Sequence, residues 1–137
     1  MKGTEARYAL TRVVDLSFEE ADRRIREELA EEGFGILTEI DVQETLRKKL
    51  DVDFPPYAIL GACNPGLAHR ALTAEPDIGL LLPCNVVVRR DPESESTIVE
   101  AMDPVPVIDL AGSDELGDLA AEVRVRLERA LDRVASG

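Results

Sequence analysis

The chain has 137 residues, 45% of them hydrophobic, which suits a single domain over residues 1–137 that can bury a core without covalent staples. Its net charge of -12 argues against nucleic acid and anionic membrane surfaces, because both demand a basic face. Only five residues are aromatic and none is Trp, so the core must be built from Leu, Val, Ile and Ala.

Residues 7–14 read as a first strand. Ser17 and Glu20 form a capping box that opens a first helix, with Phe18, Ala21, Ile25 and Leu29 on one stripe and Gly33 at its end. Gly35 to Ile40 is a second strand. Asp41 and Glu44 cap a short second helix with Val42, Leu46 and Leu50 on one face. Its basic run Arg47-Lys48-Lys49 reads as a solvated helix end that suits the helix dipole. After the loop broken by Pro55-Pro56, Tyr57 to Cys63 is a third strand, apolar enough to be central in its sheet.

Asn64-Pro65 stops that strand and starts a third helix, Asn as cap and Pro at the first helical position. That helix runs to Glu75-Pro76. Ile78 to Pro83 is an apolar approach to a fourth strand, Asn85 to Arg90, and Ser96 to Met102 returns beside it as a hairpin. Asp103 to Ala111 is a Pro-punctuated connector. Ser113 caps a long final helix with Leu116, Leu119, Leu127 and Leu131 on its apolar stripe.

The order β-α-β-α-β-α-β-β-α predicts an α+β fold: one twisted, mixed sheet of about five strands with helices layered on one face. Helices between strands imply crossovers, and the late hairpin makes the sheet mixed. There is no GxGxxG and no P-loop, so no nucleotide fingerprint is present. The most apolar stretch, Ile78 to Val88, is about half the length of a membrane helix and holds Pro83 and Asn85. With no apolar signal core in Met1 to Glu5, the protein is expected in the cytoplasm, with no membrane or nucleic-acid partner. Its two cysteines are then expected as thiols.

Four blocks carry a family likeness: Gly33 to Val42 (GFGILTEIDV), Tyr57 to Pro65 (YAILGACNP), Ala68 to Leu72 (AHRAL) and Ile78 to Val88 (IGLLLPCNVVV). Together they resemble Domain of Unknown Function family 302, over almost the whole chain. The resemblance implies a small α+β domain of TATA-binding-protein-like or Bet v 1-like architecture that pairs as a homodimer. It implies no activity and no cofactor.

The chemically suggestive residues are Cys63, Asn64, His69, Cys84 and Asn85. Cys63 ends a strand just before a helix N-terminus, where amides and the helix dipole favour a thiolate or a bound anion. His69 lies one turn into that helix, and Cys84-Asn85 repeats the dipeptide Cys63-Asn64. Two thiols and an imidazole would suit zinc or another soft metal. The structural alternatives are equally concrete. Buried cysteines often act as small hydrophobes, Asn64 is a helix cap, Asn85 a turn residue, and a lone His has no ligand spacing of its own. Glu39 reads as the polar side of a half-buried strand.

Three functions follow. The first is a binding module for a small anion, metal or cofactor near the start of the third helix. The second is a thiol redox protein or enzyme with Cys63 as nucleophile, His69 as base and Cys84 as resolving thiol. The third is a structural dimer subunit acting through a protein partner, with Ile78 to Pro83 as its interface.

Overall fold

The structure, a computed structural model, describes residues 6–136. The Met1 to Glu5 stretch read above for a signal core lies outside the described residues. In chain order the elements are β1 (Ala9–Val14), α1 (Phe18–Glu31), β2 (Gly35–Asp41), α2 (Val42–Leu50), β3 (Tyr57–Cys63) and α3 (Pro65–Ala74). They continue with β4 (Cys84–Arg90), β5 (Thr97–Met102), α4 (Pro104–Ile108) and α5 (Asp114–Ser136). Two 3-10 turns, Pro76–Leu81 and Asp109–Ala111, fill the links before β4 and before α5.

Side-chain caps set the helix starts. Ser17 accepts the Glu20 amide at 3.0 Å, Asp41 the Glu44 amide at 2.9 Å, and Asn64 the Leu67 amide at 3.2 Å. The connector after β5 is partly helical, which the prolines concealed. Asp103 caps α4 by accepting the Val105 amide at 3.0 Å. Pro104 and Pro106 both fall in the first turn, where a missing N–H has no intrahelical acceptor to lose.

The strands form one sheet in the order β1-β5-β4-β3-β2, antiparallel at every pairing. The α+β class and the five strands are as expected, but the sheet is not mixed. Helices α2 and α3 do not carry crossovers between parallel neighbours. Each sits in the link between two antiparallel neighbours, β2 with β3 and β3 with β4. Among the described residues, only the β1–α1–β2 link crosses the sheet, joining its two edges.

Strand alternation turns Leu10, Val14, Leu60, Ala62, Val86, Val88, Val99 and Ala101 to one face, where they pack against α1 and α5. From α5, Leu127, Ala130, Leu131 and Val134 close that core, each at most 1% exposed. Arginines of α5 fasten the C-terminal end of α1. Arg126 donates to the Glu32 carbonyl at 3.0 Å, Arg129 to the Glu32 carboxylate at 3.0 Å, and Arg133 to Glu28 and Glu32. Burial alone would raise the Glu32 carboxyl, but the hydrogen bonds from Arg133 and Arg129 outweigh it and hold it below the usual glutamate value. Among the described residues, no helix is long and apolar enough to cross a membrane.

Candidate functional site

The antiparallel order sends β3 and β5 out of the sheet at the same end where β2 and β4 enter it. Cys63, Cys84 and Met102, at the end of β3, the start of β4 and the end of β5, therefore share that end. Helices α3 and α4, the 3-10 turns and the first half of α5 gather over it. They form a second apolar cluster that includes Leu67, Ala71, Ile78, Ile108, Leu116 and Leu119. Between this cluster and the sheet end lies a cavity of about 280 Å³. Its surface is almost wholly apolar.

Two glycines permit the close approaches beside it. A Cβ at Gly61 would collide with the Thr38 hydroxyl and stand 2.8 Å from Pro83 Cγ. The β2 bulge between Ile36 and Thr38 is what brings Thr38 over Gly61. Gly33, at φ +86°, turns the chain after α1, and a Cβ there would stand 2.9 Å from Asn64 Nδ2.

Cys63 and Cys84 both line the cavity and both are free thiols. Cys84 is buried, and burial, with a smaller contribution from the charge of Cys63, pushes its pKa up to about 11. At neutral pH it is a protonated, weakly polar lining group rather than a thiolate. Asn64 also borders the cavity, but its amide is committed: Oδ1 accepts from Leu67 and Nδ2 donates to the Glu32 carbonyl at 3.5 Å. With Pro65 lacking an N–H, the first turn of α3 offers an anion little beyond the Gly66 amide.

The other two residues of the sequence cluster stand apart. His69 is exposed on α3 and does not line the cavity. Asn85 is exposed on the sheet face away from α1 and α5, opposite Gly61. The structure thus brings Cys63, Asn64 and Cys84 to one cavity and leaves His69 and Asn85 outside it. Among the described residues, no three His, Cys, Asp or Glu side chains gather to hold a metal ion. Glu39 is exposed and pairs with Arg26, as a polar strand position should.

Sequence reading passed over most of the cavity wall. Leu67, Leu116, Leu119 and Ala120 read as ordinary helix-stripe positions and Ile108 as part of a connector, and periodicity cannot distinguish a filled core from a hollow one.

These features define an antiparallel open-faced α+β sandwich with an apolar cavity at one end of its sheet. The chain belongs to the family described as domain of unknown function DUF302, whose model matches residues 10–134. It is similar to the crystal structure of an uncharacterized conserved DUF302 protein from Bacillus stearothermophilus, at 33% identity and a TM-score of 0.86. That match covers 93% of this chain and 98% of the other. No curated protein matches the chain.

Proposed function

We propose that the protein is a small-ligand-binding module whose ligand is an uncharged, largely aliphatic molecule held in the cavity at the sheet end. The observation that carries this reading is the lining itself. The space, about 280 Å³, is roomy enough for water, yet its walls give water almost no polar partners. Such a space favours an apolar guest, with each buried CH₂ contributing about 0.8 kcal/mol. The same walls disfavour the anion and metal variants of the reading, since an ion there would be desolvated without compensating partners.

The thiol-enzyme reading has less support. Its base, His69, is exposed outside the cavity, and its resolving thiol, Cys84, stays protonated. Ligand binding is tested by thermal unfolding with 1-octanol. The melting temperature should rise with ligand concentration, as it must when only the folded state binds. Ala71→Leu, which fills part of the cavity, should weaken that rise; equal shifts in both proteins would refute the reading.

A homodimer is proposed as the second reading, carried by the sheet face opposite α1 and α5. Across it run Ile40, Ile59, Val87, Glu100 and Thr11 in one row and Tyr57, Arg89, Ile98 and Val13 in the next, with Arg89 paired to Glu100 at 3.1 Å. Val13 is 54% and Ile40 47% exposed. A second copy that covers the exposed Ile40 and Val13, around the already paired Arg89 and Glu100, would be stabilised by the apolar surface it removes from water. Sedimentation equilibrium should give a dimer for the wild type and a monomer for Ile40→Lys. A monomeric wild type at micromolar concentration would refute the dimer.

A further inference from the structure

Reversible binding of an aliphatic guest leaves the two thiols of the cavity without a task. Cys63 and Cys84 line the same apolar space. Across the β3–β4 pair Cys84 stands opposite Ala62, so the two cysteines are offset by one residue rather than directly opposed. One residue of strand rise and one strand spacing put their Cα atoms about 6 Å apart. The two differ in state. Cys84 is 8% exposed, and burial keeps it protonated at neutral pH. Among the described residues its S–H has no hydrogen-bond partner. A buried, unpartnered donor thus lines a space whose surface is otherwise almost wholly apolar. Cys63 is half-buried, so it reaches both the cavity and solvent.

We propose that the cavity captures aliphatic α,β-unsaturated aldehydes, with Cys63 as the nucleophile and the Cys84 S–H donating to the aldehyde oxygen. This rests on the proposed apolar ligand and names its chemical class. The Cys63 thiol gives its proton to water, and its thiolate forms a C–S bond to the β-carbon. The C=C electron pair moves towards the carbonyl, and the resulting enolate takes a proton back from water at the α-carbon. Thiol and aldehyde become one saturated adduct, with no oxidant, reductant or leaving group. A cysteine needs no dedicated base for this, because even an unassisted thiol carries enough thiolate near neutral pH. The exposed position of His69 is therefore no obstacle, and a protonated Cys84 is what the step uses. The apolar walls hold the alkyl tail, which makes the addition a local event, and Cys84 meets the charge that develops on oxygen.

The test compares trans-2-octenal with acrolein, which carries the same reactive group without an alkyl tail, on the full chain near neutral pH. Each rate of adduct formation, read by intact-mass spectrometry, is divided by that aldehyde's rate with N-acetylcysteine. The octenal ratio should exceed the acrolein ratio by on the order of a hundredfold, because several CH₂ groups leave water before the thiol attacks. Peptide mapping should place the adduct on Cys63, and 1-octanol should slow octenal addition by occupying the tail site. Cys84→Ala should slow the addition roughly tenfold, the modest effect of losing a weak S–H donor, and Cys84→Ser should restore most of it. Equal ratios for the two aldehydes, or an adduct that maps away from Cys63, overturn the inference. A Cys84→Ala protein as fast as the wild type overturns the donor role of Cys84. Thermal stabilisation by 1-octanol, measured on the same sample, separates the failures: if it persists while the ratios are equal, only the capture chemistry falls, and if it is absent, the proposed ligand falls as well.

Discussion

At the residue scale, the glycines and cysteines of the sheet end make separable predictions. Gly61 has no room for a methyl group, because Thr38 and Pro83 already occupy the space. Gly61→Ala should cost about 1–3 kcal/mol by overpacking. Gly35, on the same sheet end with nothing within 4 Å of its Cβ position, should accept alanine with little change. Urea unfolding of the two variants checks the contrast, and equal costs would contradict it. The thiols should also differ. Cys84 is buried with its pKa at about 11, so iodoacetamide at pH 8 should modify half-buried Cys63 first and reach Cys84 only on unfolding. Peptide mapping that finds Cys84 labelled as fast as Cys63 in the native protein would remove the argument for a protonated lining thiol.

At the element scale, the clamp between α1 and α5 ties acid stability to one carboxylate. Glu32 titrates below its ordinary value near 4.5 because Arg133 and Arg129 hold it against the cost of burial. As pH falls, the unfolded chain therefore takes up this proton first. The stabilisation is complete above about pH 4.5 and fades as pH drops through the lower, folded value. Glu32→Gln should be less stable at pH 7 and should lose less on acidification than the wild type. Denaturant midpoints at pH 7 and near pH 3 test this, and parallel pH profiles would contradict it.

Much of this scale was legible from residues. The caps Ser17, Asp41 and Asn64 and the span of β3 follow from local chemistry, which needs no tertiary context. Strand direction was not legible, because a helix between two strands can sit in an antiparallel link as well as in a parallel crossover. Helix α4 was hidden because prolines in the first turn of a five-residue helix look like those of a loop. In the site, Cys63 and Cys84 both reach the cavity because their strands are neighbours, a pairing that no local feature of the sequence carries. His69 diverges because its place on the face of α3 depends on where that helix docks.

At the scale of the whole molecule, the protein has two apolar clusters with different duties. The larger, between the sheet and the pair α1 and α5, is filled and carries stability: Leu127→Ala should cost about 2–5 kcal/mol. The smaller surrounds the cavity. Filling the cavity should therefore affect ligand uptake more than folding, which is why Ala71→Leu is informative where a core truncation is not.

The central claim, an apolar-ligand cavity at the sheet end, is tested most directly by methyl NMR during titration with 1-octanol. The account predicts saturable shifts for the methyls of Leu67, Leu116, Leu119 and Ala120, while those of Val99, Ala130 and Val134 in the filled core stay in place. Shifts that never saturate, or that spread evenly over both clusters, would contradict it.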